Sequence, residues 1–294
     1  MEELHNILTP TDLSAPSRHA AERAALIARD TRARLALLHV LDLAPLEQLR
    51  QWASLDPANV EAQVVDQMRE KLRGLATSIH DHIGILPAVT VSTGELLTDI
   101  LGFAKSLPGD LVVFGARGSS FMRHILLGST AERLLRLAEQ PMLVVKQPPH
   151  EPYRNILVAV DFSPASQRSI EIARMLAPAA RISLLHSFEV PFEGYLRHAG
   201  VSDTIIGHYR SAATQDAYRQ LDQLCRSTGL DGKLTAMHVQ QGDVSQRILE
   251  AEQELDCDLI VVGKHGKDAL QELLLGSTTK HILAESQGDV LVTN

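Results

Sequence analysis

Asn6-Ile7-Leu8-Thr9-Pro10-Thr11-Asp12-Leu13-Ser14 returns 149 residues later as Asn155-Ile156-Leu157-Val158-Ala159-Val160-Asp161-Phe162-Ser163. In both stretches a short apolar run ends at an aspartate and then at a serine placed to begin a helix, which is the junction of a strand with a following helix. The match continues outward. Ala33-Arg34-Leu35-Ala36-Leu37-Leu38-His39 is answered by Ala180-Arg181-Ile182-Ser183-Leu184-Leu185-His186. Asp110-Leu111-Val112-Val113-Phe114-Gly115 is answered by Asp258-Leu259-Ile260-Val261-Val262-Gly263, and the offset stays between 147 and 149. So small a drift means one domain written twice with almost no net insertion. Gln147-Pro148-Pro149-His150-Glu151-Pro152 lies between the copies and reads as a short, stiff linker. The expected domains are therefore 1–147 and 153–294.

Within the first copy, strands are expected near residues 5–10, 34–40, Val89–Ser92, Asp110–Gly115 and Met142–Lys146. Helices are expected over Arg18–Thr31 (with Ser14 as N-cap), near Val60–His80, and over Leu96–Ser106 and Ser129–Ala138. The second copy repeats the order. Alternating helices and short, near-continuous apolar strands call for an α/β fold, a doubly wound parallel sheet with helices on both faces. Ligands of such sheets sit at the carboxyl ends of the strands, where the strand order reverses.

Composition narrows the function. Aromatic residues make up 4% of a chain that is 45% apolar, so the core is built of aliphatic side chains. A formal net charge of −8 disfavours nucleic acid and anionic lipid as partners. The acidic start, Met1-Glu2-Glu3, is unlike a signal peptide, and no apolar run approaches the roughly 18 residues of a membrane span. Cys225 and Cys257, without CxxC spacing, read as reduced thiols, and the expected location is the cytoplasm.

The chemistry-bearing motif follows the fourth strand. Gly115-Ala116-Arg117-Gly118 is separated by nine residues from Gly128-Ser129-Thr130, and Gly263-Lys264-His265-Gly266 by nine from Gly276-Ser277-Thr278. Glycines let the backbone turn and approach a ligand closely, and a helix N-terminus with Ser and Thr hydroxyls favours an anion. A lone pair of glycines would be a turn; the same pattern at the same point of both copies is an anion cradle. It is neither a P-loop nor a GxGxxG fingerprint. Arg117 and Arg123 in copy one, and Lys264 and Lys267 in copy two, are either phosphate-neutralising charges or solvated surface groups.

This G-x2-G-x9-G-[ST] pattern resembles the ATP-binding signature of the universal stress protein family, and Pro10-Thr11-Asp12 resembles that family's opening element. The resemblance implies strand order 3-2-1-4-5 in each domain and tandem domains arranged as an internal pseudo-dimer, with the fifth strands at the contact. It places Asp12 and Asp161 beside an adenosine, and has Val40 and Ser187 offer backbone hydrogen bonds to adenine. It sets Gly115, Gly118, Gly128, Ser129 and Thr130, with Gly263, Gly266, Gly276, Ser277 and Thr278, around ribose and phosphates. Copy two departs at Ala159-Val160, where copy one has Pro10-Thr11, and at Gly288-Asp289, where copy one has Pro141; the second departure bears on the edge at the fifth strand.

The implied ligand is ATP or a related adenine nucleotide, with magnesium carried by the phosphates, and the implied role is a stress response exercised through protein partners. A homodimer of the tandem chain is open on this reading. The residues give no catalytic constellation, so hydrolysis would be slow. A slow ATPase or nucleotidyl-transferring enzyme, and a scaffold or small-ligand-binding stress protein without nucleotide, remain the alternatives. His80 and His82 close a polar helix, where a cation suits the C-terminus, and no spacing resembles a zinc site. His39 and His186 end equivalent strands, near the ligand or as satisfied core histidines. The segments 43–74 and 190–229 differ most between copies. Tyr195, His198, Ile205, Ile206 and Tyr209 give the second segment an apolar character that suits a packed helix, a lid, or a site for a partner or an apolar ligand.

Overall fold

A computed structural model describes residues 3–42, 57–106, 111–116, 127–189, 198–230, 232, 234–265 and 275–294. The chain forms two compact units, Met1–Pro152 with Met175–Ala177, and Tyr153–Arg174 with Pro178–Asn294. The first unit runs β1 (Asn6–Pro10), α1 (Ala15–Thr31), β2 (Arg34–Leu41), α2 (Pro57–Ile83), β3 (Ala88–Thr93), α3 (Leu96–Ser106), β4 (Leu111–Gly115), α4 (Ser129–Leu137) and β5 (Met142–Val145). The second runs β6 (Asn155–Ala159), α5 (Pro164–Leu176), β7 (Arg181–Phe188), α6 (Asp203–Thr228), β8 (Thr235–Gln241), α7 (Val244–Glu254), β9 (Leu259–Gly263), α8 (Ser277–Glu285) and β10 (Asp289–Thr293).

In the first unit the strands pair in parallel in the order β3-β2-β1-β4-β5. In the second the order is β8-β7-β6-β9-β10, again all parallel, which is the expected 3-2-1-4-5 in each. Parallel crossovers are right-handed. Going from β1 to β2 to β3 moves one way across the sheet, and going from β3 past β1 to β4 and β5 moves the other. That reversal puts α1 and α2 on one face and α3 and α4 on the other. The packing agrees: α1 lies beside α2, and α3 beside α4.

The central strands of each unit are buried on both faces, as their unbroken apolar runs require, whereas β3 and β8 carry no fully buried residue. Leu111–Phe114 and Leu259–Val262 are all buried, as is every residue of β5 and β10. Covering one Leu or Ile completely contributes about 1.5–3 kcal/mol, so Ile7, Leu37, Leu143, Ile156 and Leu157 dominate the core. On α1 the stripe Ala20, Ala21, Ala24, Ala25 and Ala28 is fully buried, which lets that helix lie close on the sheet. Ser14 occupies the N-cap position of α1 without a side-chain capping bond, and the helix begins at Ala15, three residues before the expected start. The α2 helix extends past its expected limits at both ends, and its His82 Nδ1–H donates to Ser78 O at 2.7 Å. Of the apolar set in 190–229, Tyr195 lies outside the described residues. Ile206 is buried, whereas Ile205 and Tyr209 on α6 are exposed.

Pro141 has no counterpart in the second unit, yet β10 pairs with β9 along its whole length. Three other groups form the turn. Buried Glu252 accepts the backbone N–H groups of Gln287 (3.0 Å) and Gly288 (2.7 Å) on Oε1. Asp289, also buried, accepts the Tyr153 hydroxyl at 2.6 Å. A Cβ at Gly288 would stand 3.1 Å from Asp258 O and 3.2 Å from Cys257 O, so the close approach fixes glycine there.

Both cysteines are free. Burial pushes the Cys257 thiol from 9.0 up to about 12, helped by the charges of Asp258, Glu252 and Asp256. Cys225 is raised by burial and by Asp222.

Glu252→Ala strips two part-buried N–H groups of their acceptor and should destabilise the second unit by about 1–3 kcal/mol in urea unfolding; a loss below half a kcal/mol would show that water replaces the carboxylate. A thiol with its pKa near 12 is about a thousandfold poorer in thiolate at pH 8 than one near 9. Iodoacetamide at pH 8 followed by peptide mass spectrometry should therefore find Cys257 unmodified in the native protein and labelled on unfolding. Rapid native labelling would contradict its burial.

Candidate functional site

The loop after the first strand of each unit is built alike. Thr11 N–H donates to Leu38 O and Val160 N–H to Leu185 O, both at 2.9 Å, which ties the chain just beyond β1 or β6 to the neighbouring strand. The next residue is the aspartate. Asp12 Oδ1 accepts Ser14 N–H and Asp161 Oδ1 accepts Ser163 N–H, each at 3.0 Å, forming an Asx turn. Between them Leu13 (φ 62°) and Phe162 (φ 61°) take the left-handed conformation, which an L-residue adopts only where its surroundings enforce it.

His39 and His186 supply much of that enforcement. Their Nδ1 atoms lie 2.7 and 2.8 Å from Thr11 O and Val160 O. A carbonyl only accepts, so Nδ1 carries the hydrogen in both rings. The His186 ring also lies against Phe162, with centroids 4.3 Å apart. These histidines hold the aspartate-bearing loops; the sequence showed them paired without showing what they bond.

The loop after the fourth strand closes on itself. Gly128 N–H donates to Ala116 O at 2.9 Å and Gly276 N–H to Lys264 O at 3.0 Å, seating the first turns of α4 and α8 at the ends of β4 and β9. In the second unit the Thr279 hydroxyl adds a bond to Gly263 O at 2.7 Å. The first helical bonds are Glu132 N–H to Gly128 O and Lys280 N–H to Gly276 O, so the preceding amides of each helix have no acceptor within it.

These loops enclose a pocket in each unit. In the first, a cavity of about 160 Å³ is lined by Pro10, Thr11, Asp12, Val40, Gly115, Gly128, Ser129 and Thr130. In the second, a cavity of about 460 Å³ is lined by Asp161, Ser187, Gly263, Gly276, Ser277 and Thr278. Each set comes together at the carboxyl ends of the strands, where the strand order reverses. Arg117, Gly118, Arg123, Gly266 and Lys267 lie outside the described residues. Lys264 is buried, so the solvated-surface reading does not hold for it, and it is absent from the described cavity wall.

The structure adds wall residues that the sequence reading passed over. Leu96 and Ile100 line the first pocket, and Val244 and Ile248 the second, giving each an apolar side. The signal was present in the repeat itself, since both pairs follow the matched Gly94 and Gly242. His265 lines the second pocket with its Nδ1 shielded and without a partner among the described residues. Around Asp161, the Ser163 and Ser166 hydroxyls donate to Oδ1 at 2.5 and 2.7 Å, whereas in the first unit Ser17 takes the Thr11 hydroxyl instead, at 2.9 Å.

A sequence description of the universal stress protein family matches this chain twice, over residues 3–146 and 152–294. The chain belongs to the universal stress protein family. A universal stress protein of Mycolicibacterium smegmatis is 26% identical over 304 aligned positions, covering 98% of this chain and 96% of the relative. One from Methanocaldococcus jannaschii is 31% identical over 145 residues, 49% of this chain and 84% of that one. A solved universal stress protein from Archaeoglobus fulgidus superposes with a TM-score of 0.69 over 100% of this chain and 99% of that one; at 20% identity it bears on the fold alone. Among the described residues no helix is long and apolar enough to cross a membrane.

If the histidines hold the aspartate loops, His39→Phe and His186→Phe keep the ring volume and lose the donor. Each should cost about 1 kcal/mol and speed amide exchange at 11–14 or 160–163, read by exchange mass spectrometry. Unchanged protection there would reduce both residues to core filling.

Proposed function

We propose that this universal stress protein binds ATP or a related adenine nucleotide at the strand-end site of its repeated domain, 1–147 and 153–294. In this reading it serves a cytoplasmic stress response in which occupancy alters contacts with protein partners or with a second tandem chain. The observation that carries the reading is the second pocket. At about 460 Å³ it lies within the ~300–1,000 Å³ usual for small-ligand sites. One side is apolar (Leu185, Val244 and Ile248), suited to a base, and the other is the α8 N-terminus with the Ser277 and Thr278 hydroxyls, suited to phosphate.

The donor set fits a nucleotide. The α8 amides ahead of the first helical bond, the two hydroxyls and His265 Nδ1 can meet phosphate oxygens, while Asp161 and Ser187 offer polar contacts to a sugar or base edge. Magnesium would enter with the phosphates and be held largely by them and by water. Gly118, Gly266, Arg117, Arg123 and Lys267 remain proposed contacts from the same motif.

The test is to denature purified protein, chromatograph the supernatant for adenine nucleotides, and titrate nucleotide-free protein with Mg-ATP in a calorimeter. We expect bound nucleotide or a clear binding isotherm, and about tenfold weaker binding in the double variant Ser277→Ala, Thr278→Ala, roughly 1.4 kcal/mol. No copurified nucleotide and no heat on titration would leave the non-nucleotide scaffold in its place.

A further inference from the structure

The two pockets differ in the side chains of their walls: four exchanges make the second roomier, and one, Ala131 answered by the larger Thr279 with its hydroxyl turned to Gly263 O, runs the other way. Phe114 faces the first cavity where Val262 faces the second, exchanging a phenyl ring for two methyl groups. Leu96 is answered by Val244, Val40 by Ser187 and Pro10 by Ala159, so at each of these positions the second unit carries the smaller side chain. The cavity in the second unit also reaches Ala165, Ser166 and Ser169 under the start of α5, whereas Ser17 alone represents α1 in the first. Ser169 does not fill that recess, because its hydroxyl turns to Thr293 Oγ1 at 2.6 Å and to Ala165 O at 2.9 Å.

The backbone around both sites is closely similar: the same Asx turns, histidine bonds and loop closures occur in each. The volumes, about 160 and 460 Å³, differ in the sense that most of the exchanged wall side chains predict. The first falls below the ~300 Å³ at which ligand pockets ordinarily begin, and the second lies above it. Phe114 is 5% exposed and follows three buried residues, Leu111–Val113, on its strand, so it has little room to swing aside.

Resting on the nucleotide reading above, we propose that the two domains are inequivalent: the second takes the whole nucleotide, and Phe114 closes the first to it. The residue at this one position, Phe114 or Val262, decides which domain is loaded. The first pocket keeps its phosphate-facing elements, Gly128, Ser129 and Thr130, but lacks room for base and ribose together.

Calorimetric titration of the full, nucleotide-free chain with Mg-ATP tests this. About one nucleotide per chain is expected, rising to about two in Phe114→Val and falling to none in Val262→Phe, with thermal melts to confirm that both variants fold. Photolabelling of the unaltered chain with 8-azido-ATP gives an answer that needs no variant. Peptides from the second unit should carry the label, and those from the first should not. Two equal sites in the unaltered chain, label shared between the units, or a folded Val262→Phe protein that still binds would overturn the inference while leaving nucleotide binding intact. No binding by any form would overturn the nucleotide reading, and this inference with it.

Discussion

One backbone hydrogen bond in each unit, Gly128 N–H to Ala116 O and Gly276 N–H to Lys264 O, turns a parallel sheet into a site. A strand that stops at the carboxyl edge of a doubly wound sheet would leave its following helix free to start anywhere along a loop of a dozen residues. Closing that loop at its base fixes the helix start beside the strand end. The amides without an acceptor inside the helix, and the dipole of α4 or α8, then face the crevice where the strand order reverses. Glycine is favoured at the closing position of the second unit for a steric reason. A Cβ on Gly276 would stand 3.3 Å from Lys264 O, tighter than side-chain contacts normally allow. The anion-favouring end of the helix and the glycine of the motif are thus one constraint.

What the duplication kept and what it let vary separates along this line. The groups that place backbone agree between units: the aspartate with its Asx turn, the left-handed residue after it, the histidine on the adjacent strand and the closing glycine. Several groups that only line space do not, as where Phe114, Leu96 and Pro10 are answered by Val262, Val244 and Ala159. Exchanging a wall residue changes capacity without moving the frame, whereas exchanging a frame residue exposes a buried donor or acceptor and costs more. A repeated fold can therefore carry sites of different capacity on one scaffold.

How much was legible beforehand follows the same division. The central strands were readable because burial on both faces demands unbroken apolar runs, and Leu259-Ile260-Val261-Val262 leaves little choice. The glycine motif was readable because the repeat displayed it twice at the same point. Helix ends were less so: α1 starts before Arg18 because Ala15-Pro16 can form the first turn, where a proline lacks no bond it needs. The roles of Phe114 and Val262 were hidden, since which strand residues face the crevice depends on where each strand ends against its neighbours. Lys264 read as a charge available to phosphate or solvent because its type says so, whereas the structure buries it.

The start of the fifth strand shows the same frame held by different chemistry. In the first unit Pro141 precedes β5, and its carbonyl accepts Val112 N–H at 3.0 Å. In the second, Gly288-Asp289 stands there, and the turn is held by Glu252 beneath and Tyr153 alongside. Burying a carboxylate costs several kcal/mol unless donors surround it, and here two backbone N–H groups do. So costly an arrangement is understandable from the other end of the strand. Ala116 N–H bonds Val145 O at 2.9 Å and Lys264 N–H bonds Thr293 O at 2.6 Å, in each case from the loop that carries the glycine motif. A fifth strand that slipped would drag that loop, and the helix N-terminus with it. The edge turn, remote from the pocket, is held in place because the pocket's geometry depends on it.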